Sequence, residues 1–190
     1  MMGLERYKKV LRGKAKARFL LAKKKGLLKK KIKEAEKAME SCNLCERNCK
    51  VNRMKGEIGE CGAGSHWRIF SAKISKYEEP EISPAAMIFN SACTMHCHYC
   101  NTAPQSVTPQ MGDVWSEEKA AQWINENAKN IRCVIFSGGE PTIHILSILK
   151  TLNKVKKNIP IAINSNAYYS ESAAKILKDI IDIYIMDFRY

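Results

Sequence analysis

Cys93, Cys97 and Cys100 stand at spacings of four and three within the stretch Asn90 to Thr102, N-S-A-C-T-M-H-C-H-Y-C-N-T. Three thiolates this close, with no further cysteine until Cys133, can hold three irons of a cubane 4Fe-4S cluster and leave the fourth iron open to a ligand. The competing chemistry is zinc, because His96 and His98 lie among the cysteines and mixed Cys/His ligation is a common zinc site. About forty residues downstream, the apolar run Cys133 to Phe136 closes on Ser137-Gly138-Gly139-Glu140-Pro141. A strand ending in a glycine pair has no place in a zinc ribbon, so the two stretches together favour iron.

The C-x-x-x-C-x-x-C spacing followed by G-G-E-P resembles the radical S-adenosylmethionine (SAM) superfamily. That resemblance implies SAM chelated at the open iron of a site-differentiated cluster, a one-electron donor, and reductive cleavage of SAM to a 5'-deoxyadenosyl radical. It implies Tyr99 against the adenine and the Ser137-Gly138-Gly139-Glu140 turn receiving the SAM amino group. Asn164 and Ser165, at the end of a later strand, are further candidate polar contacts. Asp187-Phe188-Arg189-Tyr190 resembles the D-F-K-Y sequence of the pyruvate formate-lyase activating enzyme branch, in which Asp187 and Arg189 would help hold SAM. Arg replaces Lys there, exchanging a point donor for a planar fork.

A second set of thiols precedes the first. Cys42, Cys45, Cys49 and Cys61 fall in one Gly-containing segment and suffice for a closed, all-cysteine site holding zinc or an auxiliary iron-sulfur cluster. The pattern C-x-L-C-x-R-x-C-x-V-N-R with G-x-x-G-x-C looks like the cysteine-rich leader found in that same branch.

The elements that must position these residues are read from periodicity. Ala86 to Asn90 is a short apolar run that delivers the cysteine loop. Ser116 caps a helix to about Lys129, Ile131 to Phe136 is a strand, and Thr142 opens a helix with Ile145, Leu146, Leu149 and Leu152 on one side. Ile161 to Asn164 is a third strand, Ser170 or Ser172 caps a third helix, and Asp182 to Asp187 is a fourth strand. Alternation at this spacing predicts parallel pairing with right-handed crossovers. The expected fold is α/β, a partial (βα) radical SAM barrel of about four parallel strands over residues 85–190. The family comparison puts the usual core at six strand-helix units, so residues 86–190 are expected to cover about two thirds of it. Strand four is apolar enough to be buried on both faces and needs an edge partner, a copy of itself or a complementing subunit.

Residues 41–84 form the metal-binding leader, with Ile69 to Ile74 as its best strand and Pro80 and Pro84 punctuating the entry to the barrel. Residues 1–40 form a basic helical appendage. Leu4, Tyr7 and Leu11, then Leu28, Ile32, Ala35 and Met39, mark apolar stripes, and Gly13 and Gly26 mark interruptions. Of a net charge of +13, this appendage carries fifteen Lys and Arg against four Glu, leaving the rest nearly neutral. Nucleic acid as a partner rests on that charge alone, since only Tyr7 and Phe19 interleave it. No apolar run reaches a membrane span or a signal-peptide core, so a cytoplasmic protein with reduced thiols is expected.

Three functions follow. One is a SAM-dependent radical generator of the glycyl-radical-activase kind, with a partner protein as substrate. Another is a truncated, non-catalytic subunit that holds cluster and SAM in a split enzyme. The third is an RNA-modifying radical SAM enzyme. The enzyme readings require that the barrel be completed.

Overall fold

The computed structural model describes residues 4–188. Three helices open the chain, α1 (Glu5–Leu11), α2 (Arg18–Lys24) and α3 (Leu27–Glu40). Gly13 and Gly26 join them with φ of +70° and +72°, a left-handed conformation that glycine adopts without strain. The leader follows, with one short 3-10 turn at Arg53–Lys55. Then come β1 (Arg68–Ser75), β2 (Ala85–Asn90), β3 (Asp113–Val114), α4 (Glu117–Asn127), β4 (Cys133–Gly138), α5 (Ile145–Lys154), β5 (Ile161–Ser165), α6 (Glu171–Leu177) and β6 (Ile183–Met186).

The six strands form one sheet in the order β3-β1-β2-β4-β5-β6. The four expected strands, β2, β4, β5 and β6, pair in parallel, with Ala85 opposite Cys133, Val134 opposite Ile161 and Ala162 opposite Ile183. β1 adds an antiparallel strand beside β2, and β3 adds another beside β1, so the leader ends inside the sheet instead of merely connecting to it. Ser116 accepts the Lys119 N–H and Ser170 the Ala173 N–H, capping α4 and α6. Ahead of α5, Pro141–His144 form a 3-10 turn, and α5 begins three residues later than expected.

Alternation along the strands builds two layers. Ala86, Ile88, Val134, Phe136, Ile161 and Ile163 join the main core under the helices, which also takes in Phe19, Leu28, Ile148 and Leu149. Ala85, Met87, Cys133, Ile135 and Ala162 face the other way, against Tyr7 of α1 and Leu4 just ahead of it. The Tyr7 hydroxyl donates to the Glu81 carbonyl (2.8 Å), fixing α1 under the N-terminal ends of the strands. Strand β6 departs from full burial on both faces. Ile183 and Ile185 are half-buried while Tyr184 and Met186 are exposed, because β6 is the edge strand among the described residues.

Candidate metal centre and cofactor cavity

The face that is apolar under α1 turns polar at the C-terminal ends of the parallel strands. Stepping by two along each strand leads from Met87 to Phe89, from Ile135 to Ser137, from Ala162 to Asn164 and from Ile185 to Asp187. All four end residues line one cavity of about 360 Å³. Cys93, Cys97 and Cys100 line the same cavity, with Tyr99, Gly138, Gly139, Ser165 and Asn166. The fold therefore gathers the cysteine loop, the glycine turn and two later strand ends in one place, and its size falls in the range of small-molecule sites. Arg189 lies outside the described residues.

Backbone contact explains the glycine pair. Gly139 N–H donates to the Asn90 carbonyl (2.7 Å) and Glu140 N–H to the Ala92 carbonyl (2.9 Å), so the turn after β4 runs directly beneath the start of the cysteine loop. A Cβ on Gly138 would meet the Asn90 backbone, and one on Gly139 would meet the Ala92 carbonyl. Gly138 also holds φ at +108°. Asn90, fully buried, locks the junction: its Nδ2 donates to the Ser137 carbonyl (2.6 Å) and its Oδ1 accepts from the Trp67 indole.

Glu140 does something other than line the cavity. Its side chain is 1% exposed, and the carboxylate accepts from Thr142 N–H (3.0 Å), Thr142 Oγ1 (2.7 Å), Ser165 Oγ (2.9 Å) and Asn166 N–H (2.9 Å). Burial pushes its pKa up and these four donors oppose that shift. The motif's carboxylate is thus an internal tie between two loops. Behind it, His144 Nε2–H donates to the Ser91 carbonyl (2.9 Å); burial, and then the charge of Arg53, push its pKa down to about 3 and hold it neutral.

The thiols are not equivalent. Burial pushes Cys93 up, against the N–H groups of Met95 and His96. At Cys100 burial acts upward too, but hydrogen bonds from Ser106 and Thr102 outweigh it and the pKa falls below the ordinary thiol value. A lowered thiol pKa favours the thiolate, the form that binds metal. Among the described residues, no three His, Cys, Asp or Glu side chains form a group that could hold a single metal ion. A cubane gives each thiolate its own iron, so three cysteines spread along one cavity wall suit a 4Fe-4S cluster. The exposed His96 and His98 are absent from that wall.

The leader cysteines lie outside this cavity, behind the cysteine loop. Cys61 packs with Ala92 and Ile143, and Arg47 Nε donates to the Thr94 carbonyl (3.1 Å). Cys61 lies within electrostatic reach of Cys42 and Cys49, and Cys45 within reach of Cys42 and Cys61. Burial pushes Cys45 up, while the N–H groups of Arg47 and Asn48 reach its sulfur and oppose it. Arg53 escaped the sequence reading. It is 2% exposed, and among the described residues its guanidinium donates to carbonyls alone, those of Ile143 (2.7 Å) and Gly64 (3.0 Å). No lone residue type marks a buried arginine; only its place between leader cysteines was visible.

Residues 87–188 match the family described as Radical SAM superfamily. Over 179 residues the chain is 32% identical to an uncharacterized protein of Methanocaldococcus jannaschii, an alignment covering 88% of this chain and 51% of that protein. The chain thus spans about half the length of this curated relative. No solved structure matches it. Among the described residues, no helix is long and apolar enough to cross a membrane.

Proposed function

Since the chain belongs to the radical SAM superfamily, with the 4Fe-4S cluster and SAM that membership implies, we propose that it is a SAM-dependent radical generator acting on a partner protein. In this reading Cys93, Cys97 and Cys100 hold the cluster. The observation that carries it is the convergence of these three thiols with the Ser137 to Gly139 backbone and the ends of β5 and β6 on one cavity. The chemistry supplied by the bound cluster is one-electron reduction of the SAM sulfonium, with cleavage of a carbon-sulfur bond.

The chain's own residues orient and enclose. The glycine turn offers bare backbone to the amino group of SAM, Tyr99 offers a ring to the adenine, and Asn164, Ser165 and Asp187 offer polar contacts from the strand ends. Glu140 holds the β4 and β5 turns at fixed separation. A macromolecular substrate is supported by the edge of the sheet beside the site, where Ile183 and Ile185, on the cavity's face of β6, stay only half-buried. The edge position of β6 among the described residues favours a second reading, a cluster- and SAM-holding subunit whose sheet another polypeptide extends. The basic helices pack their apolar residues under the strands and on the outer layer, away from the cavity.

Cys42, Cys45, Cys49 and Cys61 form the second site of this proposal, an all-cysteine centre at which an iron-sulfur cluster is favoured over zinc, since among the described residues no three such side chains converge on a single ion. Its support is charge: four thiolates around one centre are a net anion, and the buried, carboxylate-free Arg53 beside Cys61 is a fitting counter-ion.

The test is anaerobic reconstitution of the full chain with iron, sulfide, reductant and SAM, followed by assay for 5'-deoxyadenosine. Its release supports the radical generator. A loaded protein that binds SAM and releases none, alone or with a co-purifying chain, supports the subunit reading instead.

A further inference from the structure

Two loops aim hydrogen-bond donors at cysteine sulfur. Ser106, 1% exposed, sits in the helical turn after Cys100, where its own N–H donates to the Thr102 carbonyl (3.1 Å). Its hydroxyl lies 3.2 Å from Cys100 Sγ, and Thr102 Oγ1 lies 3.3 Å from the same sulfur. A metal-bound thiolate has no proton to give, so both hydroxyls must then be donors. A buried hydroxyl needs a partner, and among the described residues Cys100 is the one that the Ser106 hydroxyl has.

Across the cavity, Asn166 Nδ2 lies 3.8 Å from Cys93 Sγ and donates to Thr94 Oγ1 (3.0 Å). The amide cannot turn freely. Its Oδ1 accepts the Tyr168 N–H (2.9 Å), and the Asn166 backbone N–H is held by Glu140 Oε2 (2.9 Å). The buried carboxylate of the glycine motif therefore aims an amide at a sulfur two strands away.

Resting on the reading of Cys93 and Cys100 as cluster ligands, we propose that Ser106, Thr102 and Asn166 are positioning residues that donate hydrogen bonds to two of the three thiolates and make the cluster easier to reduce. Reduction adds negative charge that spreads onto the sulfurs. A donor fixed on sulfur stabilises the reduced state more than the oxidised one, so each bond raises the reduction potential. Thr102 and Asn166 sit on different thiolates, so the effects of those two donors add.

The experiment is an anaerobic redox titration of the reconstituted full chain without SAM, followed by electron paramagnetic resonance of the reduced cluster. The parent is compared with Ser106→Ala, Ser106→Thr, Thr102→Val and Asn166→Ala, with iron measured in each. Thr102→Val and Asn166→Ala are expected to keep parental iron and titrate at a more negative potential, with the double variant lower than either. Ser106→Ala shifts the same way and Ser106→Thr, which retains a hydroxyl, returns toward the parent. If Ser106→Ala loses iron, the isosteric Thr102→Val decides the matter at Cys100. Parental potentials in Thr102→Val and Asn166→Ala at full iron content overturn the proposal. A parent chain that takes up no iron overturns the cluster reading instead.

Discussion

The Ser165 hydroxyl donates to the Glu140 carboxylate at 2.9 Å, and this bond ties the turn after β4 to the turn after β5 across 25 residues of chain. With Asn166 on the second oxygen, the two loops that floor the cavity move as one. Replacing Glu140 by Ala leaves four donors without an acceptor, three of them buried, a loss of about 3–5 kcal/mol. Chemical denaturation is expected to show that loss, and SAM titration a weaker affinity. Parental stability in Glu140→Ala would mean the tie is idle.

Gly139→Ala probes the backbone crossing. The new Cβ meets the Ala92 carbonyl and comes within 2.6 Å of the Ser106 carbonyl, neither of them the end of a flexible side chain. Overpacking against fixed backbone costs about 1–3 kcal/mol or more. The expected result is a destabilised chain whose cluster no longer responds to SAM, whereas Ala at the open Gly56 turn leaves the response intact. Equal SAM responses in the two variants would count against the crossing.

His144 sets a pH dependence. Its folded pKa is near 3 against an ordinary 6.5, so the unfolded chain takes up a proton near pH 6.5 that the folded chain refuses. Stability is then complete above pH 6.5 and falls as the pH drops toward 3, by up to about 1.4 kcal/mol per pH unit. Urea unfolding between pH 7.5 and 5 should show this slope in the parent and lose it in His144→Gln. Parallel profiles for the two proteins would contradict the neutral, buried imidazole.

Local signals made the parallel half of the fold legible. Short continuous apolar runs gave β2, β4 and β5, and Ser116 and Ser170 marked helix starts that the capping bonds bear out. β3 was invisible because it is two exposed residues, Asp113–Val114, with no periodicity to read. The place of β1 in the sheet is a matter of pairing, which a lone strand pattern does not encode. The cysteine and glycine motifs locate the cavity wall, but the Glu140 carboxylate is bound instead to Ser165 and Asn166, partners 25 and 26 residues along the chain that no local pattern marks. Ser106 lacked any pattern of its own; its role comes from the turn that brings it back to Cys100.

The leader makes a separable prediction. A variant with Cys93, Cys97 and Cys100 all replaced is expected to retain metal, held by Cys42, Cys45, Cys49 and Cys61. Adding Cys61→Ala should release it and lower stability, because metal binding contributes folding free energy. Adding Arg53→Met removes the buried cation and should weaken metal retention. A triple variant free of metal on elemental analysis would mean that the four thiols serve no centre.

The central claim is that Cys93, Cys97 and Cys100 hold a cluster with an iron open to SAM. Its most direct measurement is electron paramagnetic resonance of the reduced, anaerobic protein before and after SAM is added, in the parent and in Cys97→Ala. The account predicts about four irons at this site, a spectrum that changes when SAM binds, and loss of that change in Cys97→Ala. A parent protein that takes up zinc but no iron, or a cluster signal indifferent to SAM, would contradict it.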